Sequence, residues 1–242
     1  MITICATSDF HGILPVTPPS NLLLIAGDII PLIAQDNYER SLEWLDTTFR
    51  NWAIEQETQQ IVLVAGNHDI VFQERPDEVR KIFESFNDSG DWFHYLENEV
   101  IDLNFSFLDD DDNVVGEETI KIFGTPYCKV YGDWAFMLPD DELQKKFAEC
   151  PNEVDIILSH DAPYGVTDVC LERIPWAGIG EHLGSRPLRD MINRVNFKYM
   201  VHGHLHSSRH SFEHFKSGKV VNVSLLGENY KPAYPPLVFN YE

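Results

Sequence analysis

Asp9-Phe10-His11-Gly12 closes the apolar run Ile2 to Ala6, and four later polar clusters each close a run of the same kind. Gly27-Asp28 follows Leu22 to Ala26, and Gly66-Asn67-His68-Asp69 follows Ile61 to Ala65. Ser159-His160-Asp161 follows Val154 to Leu158, and His202-Gly203-His204-Leu205-His206 follows Phe197 to Val201. Short continuous apolar runs suit strands buried on both faces of a largely parallel sheet, and such sheets gather ligands just beyond the carboxyl ends of their strands. The clusters are therefore expected to meet in one place. Asp9 and His11 are two residues apart, as are His204 and His206, so an extended chain would aim both members of each pair the same way.

The residue types indicate the chemistry. Asp9, His11, Asp28, Asn67, His160, His204 and His206 offer carboxylate, imidazole and amide donors but no thiolate. That mixture suits hard or borderline divalent cations rather than a thiolate-rich structural zinc site. Seven donors are too many for one ion. Two neighbouring ions would use them all if one carboxylate, Asp28 by preference, bridged both, as in two-metal phosphatases and nucleases. Asp28 lies in the apolar stretch Leu22 to Ile33, where an ionised carboxylate is costly unless cations pair with it. Gly66 has the backbone freedom for a sharp turn that presents Asn67 to metal and His68 to substrate.

The ordered series D-x-H, G-D, G-N-H-D, a lone His and G-H-x-H resembles the calcineurin-like metallophosphoesterase superfamily. Within it the chain is most similar to the small cyclic-nucleotide-phosphodiesterase-like group of metallophosphoesterase domain-containing proteins. Gly124-Thr125-Pro126-Tyr127, Trp134-Ala135-Phe136, Asn222-Val223-Ser224 and Pro235-Pro236-Leu237-Val238-Phe239 carry the likeness further, so that it runs from about Thr7 to Phe239. Asp161-Ala162 departs from the Gly-Pro usual in that group, and the acidic run Asp109 to Asp112 has no obvious counterpart there. The resemblance implies an α/β fold, a four-layer αββα sandwich of two mixed β-sheets flanked by helices. It assigns Asp9, His11, Asp28 and His206 to one divalent ion and Asp28, Asn67, His160 and His204 to the other. Manganese is the favoured metal, and iron or zinc would also suit the donors. It further implies in-line attack on phosphorus by a hydroxide shared between the ions, with His68, oriented by Asp69, protonating the leaving alkoxide. Tyr127 and Trp134 are implied near the substrate pocket. Two alternatives stand beside this hydrolase of a small phosphate ester: a non-catalytic scaffold of the same fold, and a nuclease of the same superfamily.

Composition narrows the field. A length of 242 residues fits one domain, 1–242, with a substantial core. Only 18 lysines and arginines oppose 39 aspartates and glutamates, a formal charge of −21, which disfavours a surface that tracks long DNA or RNA. Cys5, Cys128, Cys150 and Cys170 form no C-x-x-C pair and are expected as reduced, partly buried thiols. No apolar segment approaches the roughly 18 residues of a membrane helix, and no basic leader precedes Ile2, which predicts a soluble cytoplasmic protein. Composition leaves the oligomeric state open.

Helical spacing of Tyr38, Leu42, Leu45, Phe49 and Trp52 predicts an amphipathic helix over 37–54, with Asp36 and Glu39 as a capping pair. Further helices are expected from Pro76, after Pro139, and after Ser185-Arg186-Pro187. The run 109–112 reads as a solvated hairpin tip rather than a calcium loop, because it lacks spaced ligands. The Gly- and Pro-rich stretch 161–184 is expected to be a lid or specificity loop. His202 falls outside the ligand set, behind the ligands or in the core, while His94, His210 and His214 read as ordinary surface or strand residues.

Overall fold

In a computed structural model, described for residues 1–108, 111 and 113–242, the apolar runs become the central strands of two sheets. The acidic run 109–112 lies, apart from Asp111, outside the described residues. The first sheet has the order β13-β1-β2-β3-β4, from Leu237–Tyr241, Ile2–Thr7, Ser20–Ile25, Thr58–Val64 and Phe93–Leu96. All its pairings are parallel except that of β13 with β1. The second has the order β11-β12-β10-β9-β6-β5, from Glu213–Phe215, Gly218–Asn222, Tyr199–His202, Ile156–Ser159, Val114–Thr125 and Glu99–Leu108. Its inner pairs are parallel, and its two outer pairs, β11 with β12 and β5 with β6, are antiparallel. Cys128–Lys129 and Met137–Leu138, β7 and β8, form a small parallel pair apart.

Strand alternation divides the apolar residues among three cores. Ile4, Leu24, Val62 and Val64 of the first sheet share one cluster with Ile122, Ile156, Leu158 and Val201 of the second. On the far side of the first sheet, Cys5, Leu23, Ile61 and Leu63 pack under Leu42, Phe49, Trp52, Val79 and Phe83. On the far side of the second, Phe123, Ile157, Met200 and Val220 pack under Leu143, Phe147, Leu188 and Ile192. The layers are helix, sheet, sheet, helix, which is the expected sandwich.

The 37–54 helix forms as α1, Tyr38–Trp44, and α2, Arg50–Ile54, joined through a π-helical turn, Leu45–Phe49. Its cap is Asn37, whose side chain accepts from Arg40 N–H, and not the Asp36–Glu39 pair expected from spacing. The residue before the helix proper has the extended backbone that a capping side chain requires, and here that residue is Asn37. Leu42, Leu45, Phe49 and Trp52 stay on one buried face through the π turn. A short helix, α3, Ile70–Glu74, directly after the third polar cluster was not expected. The other predicted helices form as α4, Pro76–Glu84, α5, Asp140–Ala148, and α6, Arg186–Arg194, with Ser185 accepting from Leu188 N–H at the start of α6.

Because β1, β2, β3, β9 and β10 all run parallel to their inner neighbours, their carboxyl ends emerge along one rim. The two sheets are stitched together there. Ser8 N–H donates to Val223 C=O at 3.0 Å, and Leu225 N–H donates to Ser8 C=O at 2.9 Å. Stretch 161–184 is a folded excursion, with Cys170, Ile174, Ala177 and Leu183 packed as a small core. Leu171 N–H donates to Ser207 C=O, tying it to the segment that follows His206.

Candidate metal centre

At this rim the turns are tight, and they do not have the extended geometry that would align residues two apart. Asp9, His11, Asp28 and His204 all have left-handed backbones, with φ of 55°, 43°, 54° and 70°. Non-glycine residues rarely adopt this region, each at a cost of about 1–3 kcal/mol, and such residues cluster at functional sites. Residue spacing therefore pointed to the right neighbours for the wrong reason. Asp9, His11 and His206 come together because the chain reverses at its tight turns, and β1 and β10 bring the reversals face to face.

Nitrogen and oxygen atoms of Asp9, His11 and His206 all lie within 4.8 Å of one another, as do those of Asp9, Asp28 and His160. Asp28 sits between the two groups, its Oδ2 3.7 Å from His11 Nε2 and 3.5 Å from His160 Nε2. Asn67 Oδ1 is 2.9 Å from His160 Nε2, and His206 Nε2 is 3.2 Å from Asp9 Oδ1. His204 joins through its backbone, donating its N–H to both oxygens of Asp9 at 3.1 and 3.0 Å, with its ring 4.9 Å from that of His160. All the sequence-predicted donors thus converge. Asp9, Asp28, Asn67 and His160 are essentially sealed from solvent.

The outer partners fix which nitrogen faces inward. His160 Nδ1 donates to Ala26 C=O at 2.7 Å and His206 Nδ1 to Gly227 C=O at 3.2 Å. Each ring therefore turns Nε2 toward carboxylate or amide oxygens, the arrangement in which backbone carbonyls orient ligating imidazoles. Electron-rich atoms left facing one another in this way need a cation between them, either a proton or a metal ion. Burial opposes charge on His160, but the Asp28 carboxylate outweighs it and raises the imidazole to about 10. Burial also opposes charge on Asp9, yet the hydrogen bond and charge of His206 hold it well below the usual carboxylate range. His11 and His204 are pushed down by burial to about 4 and about 3, leaving neutral rings.

The cage fits divalent cations on its own terms. Both ring nitrogens of His11 are buried without a hydrogen-bond partner, a costly condition in a protein interior. Among the described residues, every ion pair of Asp9 and Asp28 is with a histidine and none is with lysine or arginine. Buried carboxylates with no fixed cation, beside orphaned imidazole nitrogens, are what oxygen- and nitrogen-seeking metal ions satisfy.

Gly66 is required for a reason other than backbone freedom. A Cβ there would collide with Asp28 Oδ1, approach Asp28 N to 2.5 Å and approach His160 Cε1 to 2.6 Å, while its φ is one that any residue can adopt. Gly66→Ala is expected to fold and to bind manganese about 10-fold more weakly or worse, as disturbed support of ligands does. Calorimetric titration measures this, and unchanged affinity would show that the turn has room to spare.

His68 stands at the edge of the cage, its ring 5.0 Å from that of His11. Asp69 does not orient it. The Asp69 carboxylate is fully buried and accepts from the N–H groups of Ile29, Ile30 and Gly66, clamping the turn after β2 to the turn after β3. With both its oxygens committed to backbone, it has none left for its neighbour. His68 Nδ1 instead lies 2.9 Å from Gln35 Oε1, and its backbone N–H donates to Asp28 Oδ1 at 2.7 Å.

Trp134 meets His68 at a tilt, with ring centroids 4.3 Å apart and planes 42° from parallel. Tyr127 is not at the site. It packs against Phe136, beneath the Lys146 ammonium and among core residues, because its strand end points to the helix layer. The aromatic neighbours of the cage are Tyr131, 5.2 Å from the His204 ring, and Tyr230, 5.0 Å from His11 and 5.4 Å from His206. Nothing in the pattern around Gln35 or Tyr230 marks either residue in the sequence. His202 is buried and bonded to Thr167 Oγ1 at 2.7 Å, outside the cage as expected. A cavity of about 420 Å³ between Lys121, Asp155 and Lys198 holds none of the cage donors.

Residues 3–208 match the family model for calcineurin-like phosphoesterases. The chain belongs to that family. Over 243 residues it is 25% identical to human Metallophosphoesterase domain-containing protein 1, covering 98% of this chain and 70% of that protein. Over 210 residues it is 25% identical to Probable rhamnogalacturonate lyase C of Emericella nidulans, covering 85% of this chain but only 17% of that one. This family member therefore spans a small part of one relative and most of another. Similar solved structures include a phosphopantetheinyl hydrolase from Mycobacterium tuberculosis, at TM-score 0.48, 12% identity and coverage of 94% and 90% of the two chains. A dimetal phosphatase from Danio rerio superposes at TM-score 0.42 with 10% identity, covering 96% and 89%. Membership in the family supports a phosphoester hydrolase, and the cage groups residues that could hold divalent metal ions. Among the described residues, no helix is long and apolar enough to cross a membrane.

Proposed function

We propose that the protein is a dinuclear-metal phosphodiesterase acting on a small phosphate ester. The observation that carries this reading is the pair of buried carboxylates, Asp9 and Asp28, surrounded by imidazoles and paired with no lysine or arginine among the described residues. Asp9, His11, Asp28 and His206 would hold one ion, and Asp28, Asn67, His160 and His204 the other. Two divalent cations, of which manganese, iron and zinc suit these donors, supply Lewis acidity at phosphate oxygens and acidify water near neutral pH.

The chain's own residues do the rest. His160 and His206 are oriented through Nδ1 by Ala26 and Gly227, so that Nε2 serves the cage. His68 Nδ1 donates to Gln35 Oε1 and so holds one N–H of the ring, and a second proton carried on Nε2 would pass to the departing oxygen. Asp69 holds the turn that carries His68 and acts as a positioning residue rather than a proton relay. A diester is favoured over a monoester because, among the described residues, no guanidinium or ammonium pairs with the cage carboxylates to neutralise a second phosphate charge.

Protein stripped with EDTA and reloaded with manganese is expected to recover hydrolysis of bis-p-nitrophenyl phosphate, and to hydrolyse p-nitrophenyl phosphate at least about 10-fold more slowly, with single-stranded DNA left intact. Failure of a fully metal-loaded sample to turn over either ester would remove the proposal.

A further inference from the structure

Three aromatic rings surround the mouth of the cage. Trp134 and Tyr131 come from the segment between β7 and β8, and Tyr230 comes from the segment between β12 and β13. Together they meet His68, His204, His11 and His206 at centroid distances between 4.3 and 5.4 Å. Tyr131 and Tyr230 are 49% and 41% exposed, so their rings are open to a ligand rather than spent in the core. Tyr230 is held in this position with a left-handed backbone, φ 55°. Among the described residues no ion pair brings a lysine or arginine to the cage carboxylates.

Resting on the phosphodiesterase reading above, we infer that the ester is a diester with a flat, apolar leaving group, and that Trp134 is the residue that selects it. Position decides the assignment. His68 Nδ1 is occupied by Gln35, so the nitrogen that reaches the leaving oxygen is Nε2. An oxygen within hydrogen-bond reach of that ring is also within a few Å of Trp134, whose ring touches the same imidazole at a tilt of 42°. The group attached to that oxygen is therefore placed to meet the indole, which faces it at an angle to the imidazole. A planar group gains stacking there, whereas a branched or saturated one gains only contact area. With no lysine or arginine paired to the cage carboxylates among the described residues, the mouth selects flatness rather than extra negative charge.

The test uses two methyl phosphodiesters whose leaving groups have matched acidity, one a substituted phenol and the other a fluorinated aliphatic alcohol. The manganese-loaded wild-type protein is expected to favour the phenolic ester about 10-fold in kcat/KM, Trp134→Ala to bring the ratio near 1, and Trp134→Phe to keep most of it. A ratio unchanged in Trp134→Ala, or an equal loss on both esters, would overturn the assignment. Binding of phenylphosphonate against methylphosphonate to the same metal-loaded proteins gives a readout independent of turnover. The phenyl compound is expected to bind about 10-fold tighter to wild type, with the advantage lost in Trp134→Ala. If neither ester is hydrolysed, the phosphodiesterase reading falls while the binding ratio still decides the role of Trp134, and equal affinities would refute that role.

Discussion

His68→Ala is expected to retain its metal and to lose about 10²- to 10⁴-fold in kcat, the range set by removing a positioned general acid. The structure separates this residue from the ligands around it. Its ring lies beside His11 but is engaged by Gln35 and Trp134, and only its backbone N–H touches a carboxylate of the cage. Truncation at Cβ removes the imidazole and leaves that N–H bond to Asp28 in place. Elemental analysis beside steady-state kinetics checks the result. A variant that kept wild-type kcat would show that the leaving group departs unaided, and one that lost its metal would make His68 a support of the cage.

The second large effect is that of Asp28→Ala, expected to weaken metal binding by at least about 10²-fold, more than is lost when only an outer partner of a ligand is removed. Asp28 Oδ2 is the oxygen placed between His11 and His160, and Oδ1 anchors the backbone of His68. Asp28→Asn separates the two roles, since it keeps an acceptor for the His68 N–H while removing the charge. Both variants are expected to lose the rise in Tm that metal gives the wild-type protein by binding only the native state. Manganese titration with thermal unfolding measures both, and wild-type affinity in either variant would place the ions elsewhere.

Much of this site was legible because continuous apolar runs reveal strands buried on both faces, and parallel strands deliver the turns at their carboxyl ends to one rim. Asp9, Asp28, Asn67, His160 and His204 lie together at that rim although they are scattered along the chain. Strand periodicity said nothing of how the turns are made. The expectation of extended backbone at Asp9-Phe10-His11 failed because left-handed residues there reverse the chain, and φ values of that kind leave no trace in hydrophobic spacing. Asp69 looked like the partner of His68 because it is its neighbour in sequence, whereas its oxygens are taken by backbone N–H groups that include two about 40 residues away in the chain. Gln35 and Tyr230 are single residues in irregular segments, each made relevant by contacts across the fold, and no periodicity announces such contacts. Tyr127 failed for the reverse reason, since a loop-like motif placed it correctly in the chain but could not say which way its ring would turn.

The stitch between Ser8 and the strand end at Val223 bears on how the catalyst tolerates change. Asp9, His11, Asp28 and Asn67 ride on one sheet, His160, His204 and His206 on the other, and the filling between them is the layer that contains Leu24, Ile122 and Leu158. Close-packed interiors transmit displacement instead of absorbing it. An enlarged or shrunken side chain in that middle layer would shift the two halves of the cage relative to each other, so a core residue remote from any cation acts as a spacer for the chemistry.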